Sequence, residues 1–427
     1  MGSIKNIHYV PRPFLRAVAM FHARAQKIHE CDASLARSVS TLEANFARFA
    51  ASFGPAWLVM IADVDAASII TAAETGAIFH YGLIWLLLLL TVPLFFIQEA
   101  SGRIGVVTHK GLGEIIRENY SANIALFAAL PMALTDILTY ITEYLGIAIG
   151  LGILGVPPLL SVLLAYVVHV LVVYRRKYSA AEKIMLGISV VMLLSYVGSL
   201  IMRGTLNYSP FYISGDPRFL FLVAANVGAV IMPFMIFYQA SATAEKKAGS
   251  VWSSRLETLG GAIVSEALMV IIVMVSSGLG PILNFTSPGE LSRALSTVAG
   301  QYAPVLFGIG LTAAAFLALM AISFGSAWGV VEAMGWRRTR AFPVYFLESI
   351  PAVLLALVLT ANLLNAILTL MVVFVFVLLG PAFIMGKIAS DKRVMGESAS
   401  KGLWKYAYWL SLASVVGLGI VSVVSAL

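Results

Sequence analysis

Two carboxylates stand in an apolar stretch with nothing beside them to balance their charge. Residues 54 to 70 read Gly54-Pro55-Ala56-Trp57-Leu58-Val59-Met60-Ile61-Ala62-Asp63-Val64-Asp65-Ala66-Ala67-Ser68-Ile69-Ile70. At the centre of a membrane helix each acid costs about 2.5 to 3.5 kcal/mol unless it faces a cavity, a partner or a cation. No Lys or Arg lies in the core of any apolar span of this chain, so a cation is the natural missing charge. Asp65, Asp63 or both are candidate ligands; the blander reading is a carboxylate that caps a broken helix. A second stretch, Asn226-Val227-Gly228-Ala229-Val230-Ile231-Met232-Pro233-Phe234-Met235-Ile236-Phe237-Tyr238-Gln239, places Gly228 and Pro233 at its middle. Proline lacks an N–H and frees the carbonyl four residues earlier, here that of Ala229. Met232 beside it is either ordinary apolar packing or a soft thioether ligand.

Such groups need helices to hold them in an apolar medium. Of 427 residues, 60% are hydrophobic and 11% charged, with a mean hydropathy of +0.92, whereas a soluble chain is about a quarter charged. A bilayer core about 30 Å thick asks for roughly 20 apolar residues per crossing. Eleven runs meet that need, near residues 54–73, 80–98, 122–151, 157–174, 183–203, 218–243, 257–279, 303–334, 342–362, 364–386 and 404–426. The expected fold class is therefore an all-α polytopic membrane protein with eleven transmembrane helices.

Lys and Arg accumulate on the cytoplasmic side of a membrane protein. With the N-terminus inside, only Arg203, Arg218 and Arg293 of the 28 basic residues fall on the outer side. A miscounted span would scramble that alternation. Five helices followed by five more invert the second block relative to the first, giving an inverted 5+5 repeat (repeat one 54–203, repeat two 218–386) with an accessory helix at 404–426. In such transporters broken helices carry the substrate site, which directs attention to spans one and six.

Residues 1–50 lack the short apolar core of a cleavable signal peptide. With Phe46, Phe49 and Phe53 following Leu42 at helical spacing, they read as an amphipathic segment at the cytoplasmic membrane surface or packed on the inner face of the transmembrane domain, 51–427. The single cysteine, Cys31, excludes an internal disulfide. Basic loops reflect topology and anionic lipid contact, so the pI near 9.4 is no reason to expect nucleic-acid binding. No His-x-x-x-His or Gly-x-Ser-x-Gly pattern is present, which argues against an intramembrane enzyme. No cofactor and no obligate protein partner are expected.

At the two broken spans the chain resembles the Nramp family of divalent metal transporters. Gly54 to Ser68 resembles the family's first helix, where Gly-Pro precedes Asp-Pro-Gly-Asn, and Gly228 to Pro233 resembles its sixth, where Ala-x-x-Met-Pro-His is usual. Similarity continues through Phe79-His80-Tyr81-Gly82, Gln98-Glu99, Arg103 to Thr108 and Gly111 to Glu114, covering the chain from about residue 50 onward. The resemblance implies metal ligands at Asp65, Ser68 in place of Asn, the Ala229 carbonyl and Met232.

The departures matter. Ala66 and Ala67 replace Pro and Gly, Phe234 stands where the family has His, and Tyr140 stands where helix three has Asp, although Glu143 is retained. The His and Asp belong to the family's proton route. Asp63, Asp136, Glu143 and Glu266 are further acids of a possible ion path, or interhelical hydrogen-bonded contacts, and His169 reads as a buried polar contact. A thioether favours Mn²⁺ or Fe²⁺, whereas the shorter Ser68 leaves room for the water that Mg²⁺ gives up reluctantly.

The pattern Ala62-Asp63-Val64-Asp65-Ala66 with Ala225-Asn226-Val227-Gly228-Ala229-Val230-Ile231-Met232-Pro233 resembles the Nramp-related magnesium transporters. The expectation is Mg²⁺ uptake, with Mn²⁺ as a second substrate, by alternating access without proton coupling in a prokaryotic plasma membrane. The alternative is a proton-coupled Mn²⁺/Fe²⁺ importer. An amino-acid carrier of the same fold is disfavoured, since Asp65 would repel a substrate carboxylate.

Overall fold

With no water in the hydrocarbon core, every backbone N–H and C=O of a spanning segment must be satisfied within the protein, which helices do on their own. The computed structural model describes residues 54–174, 178–246, 250–280, 287–358 and 364–426, and among these all regular structure is helical. The amphipathic segment expected at 1–50 lies outside the described residues.

The elements in chain order are α1 (Pro55–Ala62), α2 (Ala66–Phe79), α3 (Ile84–Thr108), α4 (Leu112–Asn119), α5 (Ala122–Ile153), α6 (Pro158–Tyr174), α7 (Tyr178–Arg203) and α8 (Pro217–Val230). There follow α9 (Pro233–Lys246), α10 (Val251–Ser276), α11 (Pro288–Ala299), α12 (Ala303–Ala333), α13 (Ala341–Val358), α14 (Leu364–Ser390), α15 (Lys392–Met395) and α16 (Gly402–Ala426).

Helices fill all eleven expected positions. Counting each broken pair once, nine spans among the described residues are long and apolar enough to cross a membrane. The other two are α6, apolar but only 17 residues long, and α16.

Both expected breaks are present. The first span divides into α1 and α2, bent by 48°, and the sixth divides into α8 and α9 at Ile231 and Met232. Several boundaries shift by a turn or more, and the largest shift is in the second span, expected at 80–98, which is α3 and runs to Thr108. Glu99 and Arg103 look like the end of an apolar run. They lie one helical turn apart and neutralise each other at 2.9 Å, so the helix continues through them. The short helices α4 and α11 were not expected.

The buried polar groups lie on helix faces opposite exposed apolar stripes. On α5, Phe127, Leu130, Leu134 and Leu138 are exposed at helical spacing, while Asp136, Tyr140 and Glu143 are buried. On α6, Leu160, Leu163, Leu164, Val167 and Leu171 are exposed, whereas Ser161, Ala165 and His169 are buried. A water-soluble helix would have the reverse pattern, so these stripes face lipid.

Equivalent members of the two five-helix blocks pack together: α3 on α10 (second helices), and α5 on α12 (third helices), the most extensive interface. Two glycines permit backbone to lie on backbone. A Cβ on Gly228 of α8 would stand 1.7 Å from the Met371 carbonyl oxygen of α14, and one on Gly105 of α3 would stand 2.4 Å from that of Ala240 on α9.

Candidate metal site

The first break is built by its own acids. Asp65 is extended (φ −86°, ψ 180°) and caps α2, its Oδ1 accepting the Ser68 N–H at 2.7 Å. Glu143 reaches across from α5, where its Oε2 accepts the Ala66 N–H at 3.0 Å and its Oε1 accepts the Thr142 hydroxyl at 3.3 Å. Two carboxylates thereby satisfy N–H groups that the first turn of a helix leaves open. This explains how the chain breaks here with Ala66 and Ala67 in place of proline and glycine.

In the second break Ile231 is extended (φ −139°, ψ 92°) and α9 starts on Pro233. The Ala229 carbonyl, deprived of its helical donor by Pro233, accepts the Ser68 hydroxyl at 3.2 Å. That bond joins residues 161 positions apart and brings the two breaks together. Asp65, Ser68 and Ala229 form one buried group. Met232 shares the second break, its side chain fully buried and its N–H directed at Met235 Sδ, 3.3 Å away.

The C-terminal ends of α1 and α8 both fall at the breaks, and the negative pole of a helix dipole favours a cation there. With a carboxylate, a hydroxyl, a backbone carbonyl and a thioether, the group offers oxygen to a hard ion and sulfur to a softer one. Among the described residues no cluster of three or more His, Cys, Asp or Glu side chains forms a metal cage.

The other expected acids separate into distinct places. Glu143 lies beside Asp65, where it also caps α2. Asp63 and Glu266 face each other. Asp63 Oδ2 accepts the Ser265 hydroxyl at 3.2 Å, while its Oδ1 and both Glu266 oxygens have no hydrogen-bond partner among the described residues. Asp136 stands apart, with Ser326 and Glu348. Sequence reasoning passed over Glu348, although it is a lone acid in an apolar span, the same signal that picked out Asp136.

His169 is a buried polar contact as expected: Nδ1 pairs with the Tyr144 hydroxyl at 2.9 Å and Nε2 with Ser323 Oγ at 2.6 Å. Tyr140 donates to Ser323 at 3.1 Å, and Phe234 is wholly buried.

The family model described as natural resistance-associated macrophage protein-like, Nramp, matches residues 56–425. The chain belongs to the Nramp family. It is similar to the divalent metal cation transporter MntH of Bacillus subtilis (strain 168), with 25% identity over 87% of this chain and 91% of that protein. The Klebsiella pneumoniae (strain 342) protein of the same name is 26% identical over 86% of this chain and 95% of its own length. A solved manganese transporter of Eremococcus coleocola shares the fold, with a TM-score of 0.73 at 18% identity, over 88% of this chain and 87% of that one. This Nramp chain is thus an integral membrane protein whose relatives are transporters by name. Its Asp65 to Ser68 and Ala229 to Met232 segments sit at the two helix breaks of that fold.

Proposed function

We propose that this Nramp protein moves a divalent metal ion across the bilayer by alternating access, with Asp65, Ser68, the Ala229 carbonyl and Met232 as the ligands. One observation carries the reading: the Ser68 hydroxyl on the Ala229 carbonyl closes a buried group around an acid that no basic side chain among the described residues neutralises. The ion supplies the missing charge. The names of the bacterial relatives support the same cargo class.

Within that class the reading is Mg²⁺, with Mn²⁺ as a second substrate, moved down its gradient. Phe234 and Tyr140 support it. Phe234 cannot carry a proton, and Tyr140 is engaged by a Ser323–His169 hydrogen-bond network. The membrane is a prokaryotic plasma membrane with the N-terminus inside, as the Lys and Arg distribution supports. One observation favours the second reading, a proton-coupled Mn²⁺/Fe²⁺ importer: Glu143 lies beside Asp65 and is a group to which a proton could pass. Flux into liposomes with Mg²⁺, Mn²⁺ and Ca²⁺, with internal pH recorded, separates them. Mg²⁺ uptake at constant internal pH is expected; Mn²⁺ uptake with acidification and no Mg²⁺ flux overturns the first reading in favour of the second.

A further inference from the structure

Away from the two breaks, three helices converge on a second bare acid pair: Asp136 on α5, Glu348 on α13 and Ser326 on α12. Asp136 and Glu348 are both buried in the bundle. Ser326 donates to Glu348 Oε1 at 3.0 Å and also lies beside Asp136. Both Asp136 oxygens and Glu348 Oε2 nevertheless have no hydrogen-bond partner among the described residues. The two carboxylates lie near each other, both beside Ser326, and neither forms an ion pair with a Lys, Arg or His among the described residues.

Packing alone does not account for this. Buried acids used as structural contacts are hydrogen-bonded or paired, because leaving them bare is costly. Here three carboxylate oxygens from two helices are left without a hydrogen-bond partner among the described residues, beside a hydroxyl that has lone pairs to offer. Hard cations take such all-oxygen sets, and Mg²⁺ and Mn²⁺ accept one or two carboxylates with water completing the shell.

A cavity opens on residues within one turn of Ser326 and Glu348, although none of Asp136, Ser326 and Glu348 lines it. It measures about 180 Å³ and is lined by Glu245, Ser323, Ala327, Arg338 and Tyr345 among others. Ser323 and Ala327 flank Ser326 on α12, and Tyr345 lies one turn before Glu348 on α13. In the other direction, Asp136 precedes Glu143 by seven residues, about 10 Å along α5 at a rise of about 1.5 Å per residue.

We propose that Asp136, Glu348 and Ser326 form a second divalent-cation site, which holds the ion on its way between the central ligands and this cavity. It rests on the reading of the chain as a divalent metal transporter. The test counts Mn²⁺ bound to the purified full-length protein in detergent by electron paramagnetic resonance, alongside Mn²⁺ flux in liposomes. Wild type is expected to bind two ions, Asp65→Ala one, Asp136→Asn/Glu348→Gln one, and the triple variant none.

If Asp136→Asn/Glu348→Gln binds as many ions as wild type, the proposal is overturned and the two acids share a proton instead. Should the double variant fail to give a monodisperse protein, Asp136→Asn and Glu348→Gln are titrated singly. Each is expected to weaken the second ion by at least about tenfold, and unchanged affinity overturns the site. Wild-type flux in Asp65→Ala would sink the central-site reading alone, because the ion count of the Asp136 and Glu348 variants judges this proposal in either event.

Discussion

Acids at the ends of the bundle and acids at its centre are equally buried and treated oppositely. Glu99, 3% exposed, lies between Arg103 at 2.9 Å and Arg255 at 2.7 Å. Glu332, 4% exposed, is held by Arg338 at 2.9 Å and by the Ser241 hydroxyl at 2.9 Å. Glu74, 1% exposed, is paired with Arg218. Asp63 at 2% and Asp65 at 0% have no basic partner among the described residues. Burial therefore does not distinguish the two groups; the counter-charge does. The peripheral acids are neutralised by arginine and the central ones are not, which is the contrast on which the proposed cation site rests.

The strongest way to break this comparison is to remove one acid from each group. Asp65→Ala is expected to reduce metal flux in liposomes to the level of empty vesicles while the protein stays folded, losing only an N-cap worth about 0.5–2 kcal/mol. Flux at the wild-type rate would return Asp65 to a purely capping role. Glu99→Ala should do the opposite. By stranding Arg103 it should destabilise the fold by about 3–5 kcal/mol, seen as an earlier unfolding midpoint in detergent, with metal selectivity unchanged in the surviving protein. An unmoved midpoint would erase the contrast between the two groups.

Met232→Ala sharpens the comparison within the central group. It should weaken Mn²⁺ about tenfold, equivalent to about 1.4 kcal/mol, and Mg²⁺ far less, because a thioether serves the softer ion. Equal losses in competition flux assays would remove the sulfur from the coordination shell.

The smallest effect is expected at Asp391, outside the membrane-spanning helices. There it caps α15, and hydrogen bonds from Arg393 hold its carboxyl below the usual carboxylate range. Because the folded value is depressed, whatever Asp391 contributes is present above the ordinary carboxylate pKa and is lost as pH falls through the lower folded value. Unfolding midpoints of wild type and Asp391→Asn should therefore differ slightly at neutral pH and converge in acid; a gap that persists unchanged in acid would contradict this.

Much of this was legible in the sequence because a membrane makes cost visible. Apolar runs gave the spans, and Pro233 gave both the break and the freed carbonyl of Ala229. Lone acids in apolar surroundings marked Asp63, Asp65, Asp136 and Glu266.

What the sequence hid was pairing across space. That Glu143 caps α2 depends on α5 standing beside Ala66, 77 residues away, and no local pattern carries that distance. The extension of α3 through Glu99 and Arg103 was hidden for the same reason, since charges read as an ending become tolerable only once paired. Glu348 was overlooked because its significance comes from Asp136 and Ser326, two other helices away.

The close backbone contact at Gly228 sets how the site can move. There α8 lies directly on α14, with no room for a side chain between them. At Gly105 it is α9 that is pressed in the same way onto α3. The two halves of the sixth span are thus clamped to different neighbours, and the joint between the clamps is Ile231 and Met232. Any rocking of one set of helices against the other must be taken up at that joint, so on the reading proposed above the hinge and the ligand set would share Met232, and the grip on an ion would change with each stroke.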